Sequence, residues 1–392
     1  MSAKRVKSLL ILTVFSVAFA APAVASAGKT VDCGAGQSLA KAVRHAPAGK
    51  TIYVKGFCDE RIRIRRDRIK IVGVGHSGID GSNLDQSDFE FNPLVRVRDA
   101  AGVVIRNMEM RNSPAEGLLV EGKASVVLKN VSARNNRNVG LLVDHARVVI
   151  NEGTYEGNQA GIDTTNNASA VLRGDISLQG NGVFGIAASN GAAIEVRGAN
   201  LQASGNQLAG VLLEGGSLSI FNFTVSQGSR IIADNNGLCG FVIVGGGFLD
   251  IVAPPPLQFQ GGNLVSTSNN QACGFLVTNG SKIESPFGAA TFQISGNPAG
   301  MLVSGNSDLI INGGLRIENN MESGLVADGA GVITLAPAVP SPPPALPSVI
   351  VNNGGPDVAL TFGSRATFEA NVSVGQLVCD GTALARGVAT CP

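Results

Sequence analysis

The sequence predicts an all-β solenoid, a right-handed parallel β-helix of about ten coils with a helical cap at its N-terminal end. Three observations carry this. A phrase of Asn, then Gly, then apolar residues recurs along the chain. The apolar residues inside each unit alternate with period two. Each unit holds three such short segments with polar turns between them.

The phrase is clearest in "NNGLCGFVIVGGG" (residues 235–247) and "NNQACGFLVTNGS" (residues 269–281), which share Asn, Asn, Cys, Gly and Phe at a spacing of 34 residues. Other copies place Asn112 before Gly117, Asn136 before Gly140, Asn158 before Gly161, Asn181 before Gly185 and Asn206 before Gly210. Asn297 precedes Gly300, Asn320 precedes Gly324, and after Asn353 an Asp357 stands where the Gly is expected. Period-two alternation makes the apolar segments strands: in "GLLV" Leu118 and Val120 point one way and Leu119 the other. "SVVL" (125–128) and "RVVI" (147–150) read as second strands, "MEM" (108–110) and "FQI" (292–294) as third strands. No helical period of comparable strength competes. The Asn residues are read as architecture: stacked about 4.8 Å apart, they can bond one another and tolerate the left-handed backbone of a tight corner.

A basic start, an apolar stretch and "ASA" ending at Ala27 read as a signal peptide over 1–27. The remainder, 28–392, reads as one domain: an N-terminal cap and first coils (28–116), a regular array (117–356) and a C-terminal coil and cap (357–392). "SLAKAVRHA" (38–46) forms the capping helix, with Ser38 as N-cap. No other stretch reaches the roughly 18 apolar residues of a transmembrane segment, so a secreted or periplasmic protein is expected. Six Cys then imply three disulfides, and the repeat register favours Cys33–Cys58, Cys239–Cys273 and Cys379–Cys391. A formal net charge of +1 gives no drive toward nucleic acid or membrane. With no Trp and two Tyr, the chain offers few aromatic faces to neutral sugars.

"AGKTIYVKGFCDERIRIRRDRIKIVGVGHSGIDG" (48–81) resembles the opening turn of the pectin-lyase-like β-helix superfamily. "VCDGTALARGVATC" (378–391) resembles the close of its secreted bacterial repeat proteins. The resemblance spans most of the mature chain and implies the fold. The superfamily holds polysaccharide lyases, hydrolases and epimerases as well as surface proteins, so activity must come from a site. Its lyases use Ca²⁺ or a Lys or Arg base, its hydrolases clustered Asp, its epimerases an Asp-Pro-His-Asp motif. That motif and any Asp-Asp pair are missing here. No cofactor is expected, except Ca²⁺ if the chain is a lyase.

Two sets of candidate residues follow. The outward position of the strand after each Gly runs from Leu119 to Val326 and is apolar except at Asp163. Asp144, His145 and Asp163, in adjacent coils, are candidates for acid–base catalysis or metal binding; the alternative is an ordinary polar turn. The apolar column suggests cover by a loop, a tail or a second copy. The second set follows the second strand of each coil: Arg106, Lys129, Asn151, Arg173, Arg197 and Asn222, with Arg111 and Arg134 heading a nearby column. Like charges on adjacent rungs repel unless an anion neutralises them. Insertions at 226–230, 253–262 and 336–348 fall on the same edge. "RIRIRRDR" (61–68) extends that charge or protects an edge strand. The sequence therefore supports a binder of acidic polysaccharide along the insertion-bearing edge. A polysaccharide lyase or epimerase is the first alternative, and a scaffold that self-associates through its apolar strand face the second.

Overall fold

The computed structural model describes residues 28–85, 87, 92–221, 228–252, 262–286, 290–336 and 347–391. The expected signal peptide lies outside these residues. The chain winds as a right-handed parallel β-helix. A 13-stranded parallel sheet forms one wall, and a 21-stranded sheet folded along a corner forms the other two. The recurring phrase marks the coils from Leu118–Glu121 to Val358–Leu360. The strands Ile62–Ile64, Val95–Arg98 and Leu377–Cys379 add coils that lack it.

The first coils merge the second and third strands into one long bent strand, as in Val103–Arg111, Ser125–Arg134 and Arg147–Glu156. Later coils keep them separate, as in Ser217–Phe221 and Arg230–Ile232. Inward residues form one continuous core. Phe241 and Phe275 stack on successive rungs with ring centroids 4.5 Å apart, and Phe292 meets Phe275 edge-on at 6.1 Å.

The Asn phrase divides into two jobs on neighbouring residues. One column takes the left-handed backbone: Asn112, Asn135, Gly157, Gly180, Gly205, Asn235, Asn269, Gly296, Asn319 and Asn352 all have positive φ. Only Asn and Gly occupy it, because a Cβ-bearing side chain without a local hydrogen bond is strained there. The next residue builds the ladder. Asn136, Asn158, Asn181, Asn206, Asn236, Asn270, Asn297, Asn320 and Asn353 each donate from Nδ2 to the Oδ1 of the next, over 2.8–3.5 Å, and the last donates to Asp357. Each Oδ1 also accepts the backbone N–H of the preceding member, for example Asn206 N to Asn236 Oδ1 at 2.9 Å. Asn112 belongs to the first column, and Ser113 takes the rung beneath Asn136.

Asp357 explains its own departure from Gly. A Cβ on Gly117 would stand 2.9 Å from the Gly140 carbonyl oxygen, and one on Gly240 3.0 Å from that of Gly274. The series of close approaches ends at Asp357, so a side chain fits. Its Oδ1 closes the ladder and its Oδ2 accepts from Gln376 N at 2.7 Å. The N-terminal end is plugged by helix α1, Leu39–His45, whose N-cap Ser38 accepts from Lys41 N at 3.0 Å and whose Leu39, Ala42 and Val43 turn inward. The three disulfides pair as the register favours, with Cα separations of 5.0, 4.6 and 5.7 Å. No described helix is long and apolar enough to cross a membrane.

Asn236→Ala removes three ladder bonds and strands a buried N–H, so it lowers stability by about 2–4 kcal/mol in denaturant melts. Tyr155 is fully buried and its hydroxyl has no partner among the described residues. Tyr155→Phe therefore raises the unfolding free energy in denaturant melts, by about 1 kcal/mol; a loss of that size instead shows a bound water at the hydroxyl.

Candidate polyanion-binding corner and outer strand face

The basic column sits where the long strands bend. Asn107, Asn130, Glu152, Gly174 and Gly198 carry positive φ at this corner. The residue before each is Arg106, Lys129, Asn151, Arg173 and Arg197. Alternation turns them outward, since Ile105, Leu128, Ile150, Leu172 and Val196 just before them are buried. Arg106, Lys129, Asn151 and Arg173 lie on successive in-register rungs. Arg197 follows across a register shift between Leu172 and Gly174. Arg106, Arg173 and Arg197 are exposed and Lys129 is half-buried. Arg197 pairs with Glu195 on its own strand. Arg106, Lys129 and Arg173 make no ion pair among the described residues.

The second proposed column is different. It runs Asp80, Arg111, Arg134, Glu156 on successive rungs, so each cation has a carboxylate neighbour. Arg111 Nε is 2.8 Å from Asp80 Oδ2, and Arg134 Nη2 is 3.8 Å from Glu156 Oε2. Burial alone would raise the Asp80 pKa, but hydrogen bonds from Asn112, Ser82 and Arg111 outweigh it and bring it down to about 2. Arg111 also lies 3.9 Å over the Phe57 ring. This column is neutralised from within.

In later coils the strands Ser217–Phe221, Phe248–Val252 and Val332–Ala336 run into the same corner. Phe221 pairs with Val252, and Asn312 with Ala336, in register. The insertions follow directly from these strand ends. Asn222 and nearly all of 253–262 and 336–348 lie outside the described residues, as do the first two residues of 226–230.

The outer face of the 13-stranded sheet carries the acid–base candidates. Asp144 and His145 meet directly, His145 Nδ1 lying 2.7 Å from Asp144 Oδ1, and Asn166 Nδ2 donates to that oxygen at 2.9 Å. Asp163 is not in this contact set. Its rung partner is Leu142, while that of Asp144 is Thr165. Asp163 thus stands one rung over and two residues along from Asp144, roughly 8 Å away by strand geometry. Burial against the apolar column, between Leu142 and Ala187, pushes the Asp163 carboxyl up to about 6. Ca²⁺ takes six or more oxygens from converging carboxylates and carbonyls. Among the described residues no group of three or more His, Cys, Asp or Glu converges to hold a metal ion. These residues do not fit a Ca²⁺ site.

The column that reads as apolar from Leu119 onward is headed by two cations, Arg63 and Arg96, in register with it. Arg96 makes a bidentate pair with Glu121, at 2.6 and 3.0 Å. Nearby Glu116 is buried; that burial raises its pKa, against a hydrogen bond from Asn138 at 2.8 Å and the charge of Arg96. Arg96, Glu116 and Glu121 are absent from the sequence-derived candidates. The alternation in "VRVR" is the signal for the first, hidden because that coil lacks the Asn phrase. Further along, Leu212, Val242, Leu276 and Leu302 pack with Ala209, Ala299 and the disulfide-bonded Cys239 and Cys273 into a second apolar cluster outside the core. Val242 is only 8% exposed, so the column supplies part of its own cover.

Residues 69–252 match the family model described as the right handed beta helix region. No curated protein matches the sequence. Among solved structures, an alginate lyase from Paenibacillus sp. str. FPU-7 is 14% identical over 69% of this chain and 94% of its own, with a TM-score of 0.45. Pectate lyase Pel9A is 14% identical over 68% of this chain and 70% of its own, with a TM-score of 0.40. PfbA, a surface adhesin of Streptococcus pneumoniae, is 10% identical over 85% of this chain and 93% of its own, with a TM-score of 0.29. At these values the likeness carries nothing about activity.

Asp163 yields a pH prediction with a fixed sign. Its folded pKa, about 6, lies above the unfolded value of 3.8. The folded state therefore holds the proton more tightly, and stability falls as pH rises from about 4 through 6. Asp163→Asn removes this loss: the variant exceeds the native protein by about 3 kcal/mol at pH 8, with the gap closed at pH 4. Melting curves at the two pH values check it.

Proposed function

We propose that this right-handed parallel β-helix, which resembles the pectin-lyase-like superfamily, binds an acidic polysaccharide along the corner of Arg106, Lys129, Arg173 and Arg197. The observation that carries this is the contrast between two columns of one edge. Arg111 and Arg134 face carboxylates on neighbouring rungs, whereas Arg106, Lys129 and Arg173 face none among the described residues. Cations held at the strand spacing of about 4.8 Å repel in the free protein and match a polymer that repeats its negative charge. Guanidinium groups recognise carboxylates bidentately, which favours an acidic sugar over a neutral one.

Three disulfides suit an oxidising compartment. Together with the leader read over 1–27, they support a secreted or periplasmic location, where acidic polysaccharides are available. One observation favours a second reading, a polysaccharide lyase or epimerase. Asp163 holds its carboxyl at about 6 on the outer strand face, a value suited to proton transfer near neutral pH. Asp144 and His145 would flank the polymer there, and Asp163→Asn would stop turnover.

Arg106→Glu with Arg173→Glu lowers affinity for an acidic polysaccharide by about 100-fold or more, because two charge-assisted contacts become repulsive. The dependence of affinity on salt falls with it. Both side chains are exposed, so the melting temperature stays near native. Undiminished binding by this variant removes the corner as the binding site.

A further inference from the structure

A cavity of about 590 Å³ opens between helix α1 and the first coil, on a different edge from the corner. Five guanidinium-bearing side chains line it: Arg44 from the helix, Arg61, Arg63 and Arg65 in and beside the strand Ile62–Ile64, and Arg66 from the turn after it. No acidic side chain among the described residues lines it, although Asp85 lies near enough for the Arg61 charge to lower its pKa. The nearest carboxylates by sequence are engaged elsewhere. Glu60 accepts from Ser38 Oγ at 2.8 Å and Ala40 N at 3.0 Å, and Asp67 accepts from Ala101 N at 2.9 Å. Arg44, Arg63, Arg65 and Arg66 make no ion pair among the described residues.

Ile62–Ile64 is the terminal strand of its sheet, and outward Arg on such an edge discourages pairing with another chain. That role accounts for Arg63 and Arg65. It does not call for Arg44 and Arg66, which come from two other elements and converge on the same space. Two heads are held in place from behind: Arg66 Nη1 donates to Ala46 O at 2.6 Å, and Arg61 Nε donates to Asn92 O at 3.1 Å. Val43 and Ile69, both buried, give the cavity an apolar floor.

We propose that this cavity is a binding site for a compact polyanion, a small sugar bearing two or more phosphate or sulfate esters. Planar guanidinium forks match the oxygens of a tetrahedral oxyanion, and several forks around one space match more than one such group. The volume is that of a small-molecule site, and the apolar floor suits the body of a sugar ring. An extended polymer is a poorer fit, because the helix walls the cavity at the end of the solenoid.

Calorimetric titration of the full chain tests this with three probes: glucose 1,6-bisphosphate, a disulfated disaccharide and trigalacturonate. At least one of the first two binds, about tenfold or more tightly than the carboxylate probe, and which one does distinguishes a phosphate from a sulfate source. Arg63→Gln with Arg65→Gln weakens that binding by about tenfold or more, whereas Arg106→Glu with Arg173→Glu leaves it unchanged. Binding of neither ester, or binding untouched by the first pair of substitutions, overturns the proposal. Binding lost with the corner pair instead assigns the anion to the corner and overturns this site alone.

Discussion

The buried amide ladder is the constraint on which the rest of the molecule depends. A solenoid corner must turn the chain in few residues, and the buried N–H of each ladder residue meets no backbone carbonyl on the next rung but an Asn Oδ1. The Asn ladder meets that need at each rung, with one side chain accepting from the backbone below and donating to the amide above. Because each member bonds the next, the ladder also fixes rung against rung. A slip of one residue would turn every inward Leu, Ile and Phe to solvent. Register, once fixed, sorts every outward residue into a column, and the columns are where chemistry can reside.

That dependence explains what the sequence makes legible. The phrase, the disulfide partners and the N-cap Ser38 are all local or periodic, so they can be read from spacing. What spacing could not separate was the corner residue from the ladder residue. Both are Asn in "NN" copies such as Asn235 and Asn236, yet one bears the left-handed backbone and the other the amide chain. Asn112 falls in the first class for that reason. The neutrality of Arg111 and Arg134 was hidden too. Their partners, Asp80 and Glu156, lie 31 and 22 residues away and become neighbours only through the register. Arg96 escaped notice because the coil of Val95–Arg98 lacks the phrase that anchors the column count, and Glu116 and Glu121 because their neighbour Arg96 lies a coil away and meets them only through the register. Asp163 was visible as the one charge in an apolar column, but its separation from the Asp144–His145 pair was not.

The surface that results is uneven in a way that matters for function. One column on the edge is compensated and another lacks ion pairs from Arg106 to Arg173 among the described residues, although both present arginines at the same rung spacing. The outer strand face changes from charged near Arg96 and Glu121 to apolar near Val242 and Leu276, with Asp163 at the transition. A carboxyl kept there works against stability at neutral pH, the kind of local conflict expected where function rather than folding selects a residue.

The most direct test is to incubate the purified protein with a panel of acidic polysaccharides and follow polymer size by chromatography. Binding without cleavage leaves the polymer at unchanged length, with protein co-eluting with at least one acidic polymer at low salt and separating from it at high salt. Shortened chains would contradict it and make the protein a depolymerase.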